Sequence, residues 1–81
     1  MKDDWRLCNQ MEYLYDVVLI HTVFQKTEKN DHEHCEFCMA SFSEYSGDLH
    51  AGYCTLNRYH WICEECYRDF KDMFKWKLVA Q

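Results

Sequence analysis

Two Cys-x-x-Cys motifs, Cys35-Glu36-Phe37-Cys38 and Cys63-Glu64-Glu65-Cys66, lie 24 residues apart in a chain of 81. Thiol pairs so arranged can close on one tetrahedral ion, and zinc is the usual occupant. In such a knuckle the two intervening residues let both sulfurs turn toward the ion at about 2.3 Å. The second pair runs straight into an amphipathic segment, so Cys63 and Cys66 fall at a predicted helix N-terminus. Free N–H groups and the positive end of the helix dipole lower thiol pKa values there and favour bound thiolate. Cys35, Cys38, Cys63 and Cys66 are therefore the expected ligands of one structural Zn²⁺. Four thiolates saturate that ion and leave no position for water or substrate.

A lone Cys-x-x-Cys would equally suit a redox dithiol or a core cysteine, whereas two at this separation favour a metal. Iron in a rubredoxin-like site is the lesser alternative. Such knuckles usually carry glycine after the second cysteine, and Met39 and Tyr67 stand in those places. That departure also makes the first knuckle less standard for zinc.

A chain this short is expected to form a single domain, residues 1–81, with a limited core that a metal or disulfides must supplement. Structural zinc supplies on the order of 10 kcal/mol in small domains. Six cysteines would also suit a disulfide scaffold, but that needs an oxidising compartment. The charged start, Met1 to Arg6, has no apolar stretch behind it and does not read as a secretory signal. Val17–Ile20, the longest apolar run, is too short to span a membrane. A cytoplasmic protein with reduced thiols is expected. Its formal charge is −5, and four thiolates around Zn²⁺ add about −2. Nucleic acid is a poor default partner for such a domain, and a basic protein surface a better one.

Along the chain, Asn9 and Glu12 form a capping-box pattern for a helical turn over 9–15. The β-branched run 17–24 reads as a strand, although a helix would also group Leu14, Val17, Val18 and His21. If that strand lies at a sheet edge, it offers a homodimer contact. Residues 26–34 read as a polar loop, and 41–48 as a polar stretch turning at Gly47. Residues 49–55 and 58–62 suggest a hairpin with Leu56-Asn57 near its turn. From Cys63 to about Leu78 a helix is predicted, with Cys66, Tyr67, Phe70, Met73, Phe74 and Lys77 on one face. Glu64 and Glu65 begin it and lysines end it, in the order the dipole favours. Knuckle, hairpin and ligand-bearing helix make a small, metal-stabilised α+β fold of treble-clef type. The N-terminal extension, 1–30, adds a helical turn and a strand to the zinc-finger core, 31–78.

His32, His34, His50 and Cys54 could form a second His/Cys metal site, which would make the chain a metalloenzyme if catalytic; the plainer reading makes them loop residues and a hairpin-core thiol. His60 beside Trp61 reads as a strand residue, and Cys8 as a small apolar one. The many aromatics alternate with acids, which favours a core over stacking on bases. Trp76 lies off the main helical face, placed either to cover the N-terminal segment or to mark a partner surface.

The stretches Asp4-Trp5-Arg6-Leu7, Asn9-Gln10, Tyr13-Leu14, Asp31-His32-Glu33-His34-Cys35-Glu36-Phe37-Cys38, Gly47-Asp48-Leu49-His50 and Gly52-Tyr53-Cys54 carry a wider similarity. With Tyr59-His60-Trp61-Ile62-Cys63-Glu64-Glu65-Cys66 they resemble a family of small uncharacterised bacterial cytosolic proteins. The resemblance implies a self-contained domain and carries no activity.

The expected role is a structural-zinc interaction or adaptor module, of which an immunity or antitoxin-like protein masking a basic toxin is one specific version. A nucleic-acid-binding finger is the alternative, resting on fold analogy alone. A His-Asn-His nuclease is weaker still. Its Asp-His pair would be Asp31-His32, which precedes the first knuckle, and no Asn-His pattern follows on the helix.

Overall fold

The computed structural model describes residues 4–79. A four-residue helix, α1 (Met11–Leu14), leads into strand β1 (Val18–Val23). Strands β2 (His32–His34) and β3 (Ser41–Ser43) flank the first Cys-x-x-Cys. Strands β4 (Ala51–Thr55) and β5 (Trp61–Ile62) form the hairpin, followed by helix α2 (Glu64–Phe74) and strand β6 (Lys77–Leu78). One sheet has the order β5-β4-β1-β6 and the other pairs β2 with β3.

Residues 18–23 take the strand and not the helix, as Val, Ile and Thr favour at a pleated, half-buried surface. β1 pairs antiparallel with β4 from Leu19↔Thr55 to Val23↔Ala51, and parallel with β6 at Val18↔Lys77 and Leu19↔Leu78. It therefore lies inside the sheet, and β6 covers the first part of the edge that the dimer expectation would use. The segment before residue 31 is built into the hairpin's own sheet, and Leu14, Leu19 and Phe24 share one apolar cluster with the knuckle and α2.

Four local expectations are corrected. The capping box does not form: Asn9 sits at φ 71° and Gln10 is the N-cap, without a side-chain cap bond. The buried Gln10 amide is engaged elsewhere, its Nε2 donating to the carbonyls of Arg6 and Glu36, both at 2.8 Å. Buried polar groups must find partners, and this one finds them across the fold. The supposed polar loop 26–34 ends in a strand, because the knuckle reverses the chain and brings His32–His34 onto Ser41–Ser43. Cys8, read as a small apolar residue, stands exposed.

The fourth correction is the end of α2. The helix stops at Phe74, with Lys75 left-handed at φ 57°, four residues short of the expected Leu78. Cys66, Phe70 and Phe74 do face inward, but Lys77 lies in β6, where it pairs with Asp16. The turn swings Trp76 back into the core, where its Nε1 donates to the Leu14 carbonyl at 2.7 Å. Its ring stacks on Phe74 and Tyr67, with centroids 5.2 and 5.7 Å away. A left-handed residue costs about 1–2 kcal/mol; fully burying a large aromatic returns about 2–3 kcal/mol, and the bonded indole adds to it. Of the two placements proposed for Trp76, cover for the N-terminal segment is the one observed.

The hairpin is tighter than its sequence limits, with register Tyr53↔Ile62 and Cys54↔Trp61. Its turn closes through Arg58 N–H to the Thr55 carbonyl at 2.8 Å, and Gly47 provides the expected earlier turn at φ 95°. Among the described residues, no helix is long and apolar enough to cross a membrane.

Gly52 lets the two sheets meet. A Cβ there would lie 2.6 Å from Phe42 Cε1 and 2.9 Å from the Ile62 carbonyl oxygen. Phe42 is fully buried and has nowhere to swing. Gly52→Ala is expected to cost about 1–3 kcal/mol in chemical denaturation, as overpacking does.

Candidate metal centre

Cys35 follows β2 and makes an isolated parallel bridge with Trp61, which ties the knuckle to the hairpin. Glu36 N–H to the Trp61 carbonyl at 2.8 Å extends that tie. Within the knuckle, Cys35 N–H reaches the Ala40 carbonyl at 2.8 Å and Met39 N–H the Cys35 carbonyl at 3.1 Å. Met39 holds the left-handed conformation, φ 69°, that glycine usually supplies at this position. Tyr67 needs no glycine, because the second pair sits on a helix: Cys63 is the N-cap of α2 and Cys66 lies in its first turn. Phe37, between the first two cysteines, stacks on Phe70 at 4.9 Å and meets Phe74 edge-on at 5.4 Å. The knuckle is thereby fastened to α2 independently of any ion.

The four Sγ atoms of Cys35, Cys38, Cys63 and Cys66 all lie within 4.8 Å of one another. Cys38 and Cys63 approach to 3.6 Å. A tetrahedron with metal–sulfur arms of about 2.3 Å has edges of about 3.8 Å, so the cluster matches a tetrahedral thiolate cage. A disulfide needs about 2.05 Å, and all six cysteines are free. Three of the four are buried; Cys38 is partly open.

Several N–H groups aim at the sulfurs. Those of Phe37 and Cys63 point to Cys35 Sγ, both at 3.4 Å, and that of Cys66 to Cys63 Sγ at 3.5 Å. Arg6 Nη1 lies 3.5 Å from Cys66 Sγ. Without an ion the thiols oppose one another's ionisation. Hydrogen bonds from Cys63 and Cys66 hold Cys35 down as the favoured thiolate. Its presence then pushes Cys63 up to about 11 and Cys66 well above the ordinary thiol range. A divalent cation at the centre removes that conflict, and soft thiolates suit such an ion. The donor set fits a four-coordinate metal.

The structure does not bring the second His/Cys set together as a ligand cluster among the described residues. His32 and His34 meet edge-on at 5.2 Å, His50 Nε2 lies 2.9 Å from the Tyr45 carbonyl, and Cys54 is fully buried in β4. Burial pushes the Cys54 thiol up. Asp31 and His32 are hydrogen-bonded at 2.8 Å on the exposed start of β2, which lowers the Asp31 carboxyl. His60 lies just before β5, not in it, with Nδ1 2.9 Å from Glu36 Oε2. Tyr13 donates to Glu36 Oε1 at 2.9 Å, and burial, then that carboxylate, pushes its phenol up to about 12.

Two contributors to the site escaped the sequence reading. Phe37 was visible only as one aromatic among many. Arg6 was visible only within the Asp4-Trp5-Arg6-Leu7 stretch, which carries no ligand signal. Its guanidinium grips Asp4 through Nε at 3.0 Å and Nη2 at 2.7 Å, holding that carboxyl down to about 2.

No family model, curated protein or solved structure matches the chain. The likeness to small bacterial cytosolic proteins therefore rests on the sequence stretches alone.

Replacing Cys63 by Ser removes one sulfur donor while leaving a side chain able to cap α2, and is expected to abolish metal retention and the cooperative unfolding transition, read by metal analysis and circular dichroism. The pH dependence has a definite sign. Free thiols with raised values, such as Cys63 at about 11, release protons when the ion binds, so acid favours release. Titrating the loaded protein downward from pH 7 with an indicator dye should show the ion leaving; loss on the alkaline side instead would contradict the thiolate assignment. Met39→Gly relieves the left-handed residue, whose side chain is mostly exposed, and should raise stability by about 1 kcal/mol.

Proposed function

We propose that this chain is a zinc-stabilised interaction module with a treble-clef-like core, in which the metal holds the fold and the surface acts. The observation that carries the reading is the saturated donor set: four sulfurs within 4.8 Å of one another. A four-thiolate ion has no open position for a substrate or an activated water. Zinc is the metal of choice because it accepts a tetrahedral thiolate cage without redox chemistry. The order of parts supports the treble-clef description: a knuckle on the β2–β3 hairpin, the β4–β5 hairpin, then a helix carrying the last two ligands.

Charge supports a protein partner. The net charge of −5, made more negative by the thiolates, opposes phosphate and favours a basic face. Exposed aromatics, Trp5 and Tyr59 above all, are of the type that anchors protein interfaces. An immunity or antitoxin-like role is the specific form of this reading, in a reducing cytoplasm to which six free thiols are suited. Pairing of two copies through β1 would be confined to Ile20–Val23, since β6 takes Val18 and Leu19.

The test is a pair of binding measurements on the loaded protein. Duplex DNA titrated at low salt should give no tight complex, and a complex with a steep salt slope would overturn the reading. Proteins captured from the native cytosol should be basic and should be released as salt is raised. Capture of nucleic acid alone would transfer the assignment to the nucleic-acid-binding finger.

A further inference from the structure

Arg6 is separated from Cys66 by 60 residues, yet its guanidinium reaches that sulfur. The same Nη1 also lies 3.2 Å from Asp69 Oδ2, and the guanidinium sits 4.5 Å above the Phe70 ring. Asp4 braces it from behind with two hydrogen bonds, leaving the Arg6 side chain only 13% exposed. A cation taken so far out of water needs compensating negative charge. The Asp4 and Asp69 carboxylates supply it, and Nη1, shared with Asp69, also faces the sulfur cluster. Four thiolates around a dication carry about −2.

We propose that the metal–thiolate charge holds the segment 4–10 in place through Arg6, so that metal retention and docking of this segment are coupled. The inference rests on the metal reading above. Gln10 provides the segment's other anchor, linking the carbonyls of Arg6 and Glu36. The segment is therefore pinned to both halves of the site: the knuckle through Gln10 and the helix pair through Arg6. Linkage is reciprocal, so whatever the ion contributes to docking, the docked segment returns to ion retention. Outer partners of metal ligands typically change affinity about 10- to 100-fold when removed. Trp5, exposed on this segment, is presented by the same coupling. Arg6 is thus a positioning residue that acts through Cys66, not a ligand.

The experiment compares zinc-loaded wild type with Arg6→Met, which keeps an apolar stem over Phe70 but has no donor, and with Arg6→Lys, which keeps the charge. Wild type and variants should each bind one ion. Transfer of zinc to a chromogenic chelator should be about tenfold faster for Arg6→Met, and amide exchange in residues 4–9 should accelerate with it. In the cobalt-substituted proteins, loss of the N–H···S contact raises the sulfur donor orbitals. The thiolate-to-metal charge-transfer band should then move to longer wavelength in Arg6→Met and return part-way in Arg6→Lys. If Arg6→Met does not fold, Arg6→Leu, which likewise has no donor, carries the same three readouts. Unchanged transfer rate with an unmoved band, in a loaded variant, overturns the proposal and leaves the metal site standing. Wild type that binds no ion overturns both.

Discussion

Four sulfur atoms from two distant stretches of chain stand within 4.8 Å of one another, and the compensation of their charge is the constraint on which the fold turns. Without a cation the thiols resist joint ionisation, one held as thiolate while its neighbours are pushed up. With a dication the same four groups become bonds that tie the β2–β3 knuckle to the start of α2. A core of this size has little margin of its own. An ion held by the four cysteines would supply what apolar burial in 81 residues cannot be relied on to provide.

Around this point the packing is aromatic and continuous. Phe37 leaves the knuckle to lie on Phe70 and Phe74; Trp76 stacks on Phe74 and Tyr67; Tyr67 stacks on Tyr53 with centroids 3.7 Å apart. This ladder runs from the cysteine cluster to the sheet and carries the N-terminal part of the chain with it, through Trp76 on the Leu14 carbonyl. The division into an extension and a zinc-finger core thus describes the order of the sequence better than the structure. β1 sits between β4 and β6, inside the sheet.

What could be read from sequence was what short-range chemistry encodes. The gathering of Cys35, Cys38, Cys63 and Cys66 followed from cysteine spacing, β1 from its β-branched run, and the start of α2 from Cys63 followed by two acids and an apolar face. What escaped was decided by contacts between distant residues. No glycine or proline marks the end of α2; Trp76 sets it by reaching Leu14, 62 positions away. β2 is a His-Glu-His stretch with no strand pattern, paired only because the knuckle folds it back on β3. The Asn9 capping box was locally sound but lost to Gln10, whose amide is drawn inward by the carbonyls of Arg6 and Glu36. Arg6 beside Cys66 has no local signature at all. Function was the least legible, since surface side-chain patterns are only weakly constrained by the fold.

X-ray absorption at the metal edge, on protein purified without added metal, tests the central claim most directly. Zinc with a single shell of four sulfur neighbours at about 2.3 Å is expected. A shell containing nitrogen or oxygen ligands, or protein that is folded and metal-free, would contradict it.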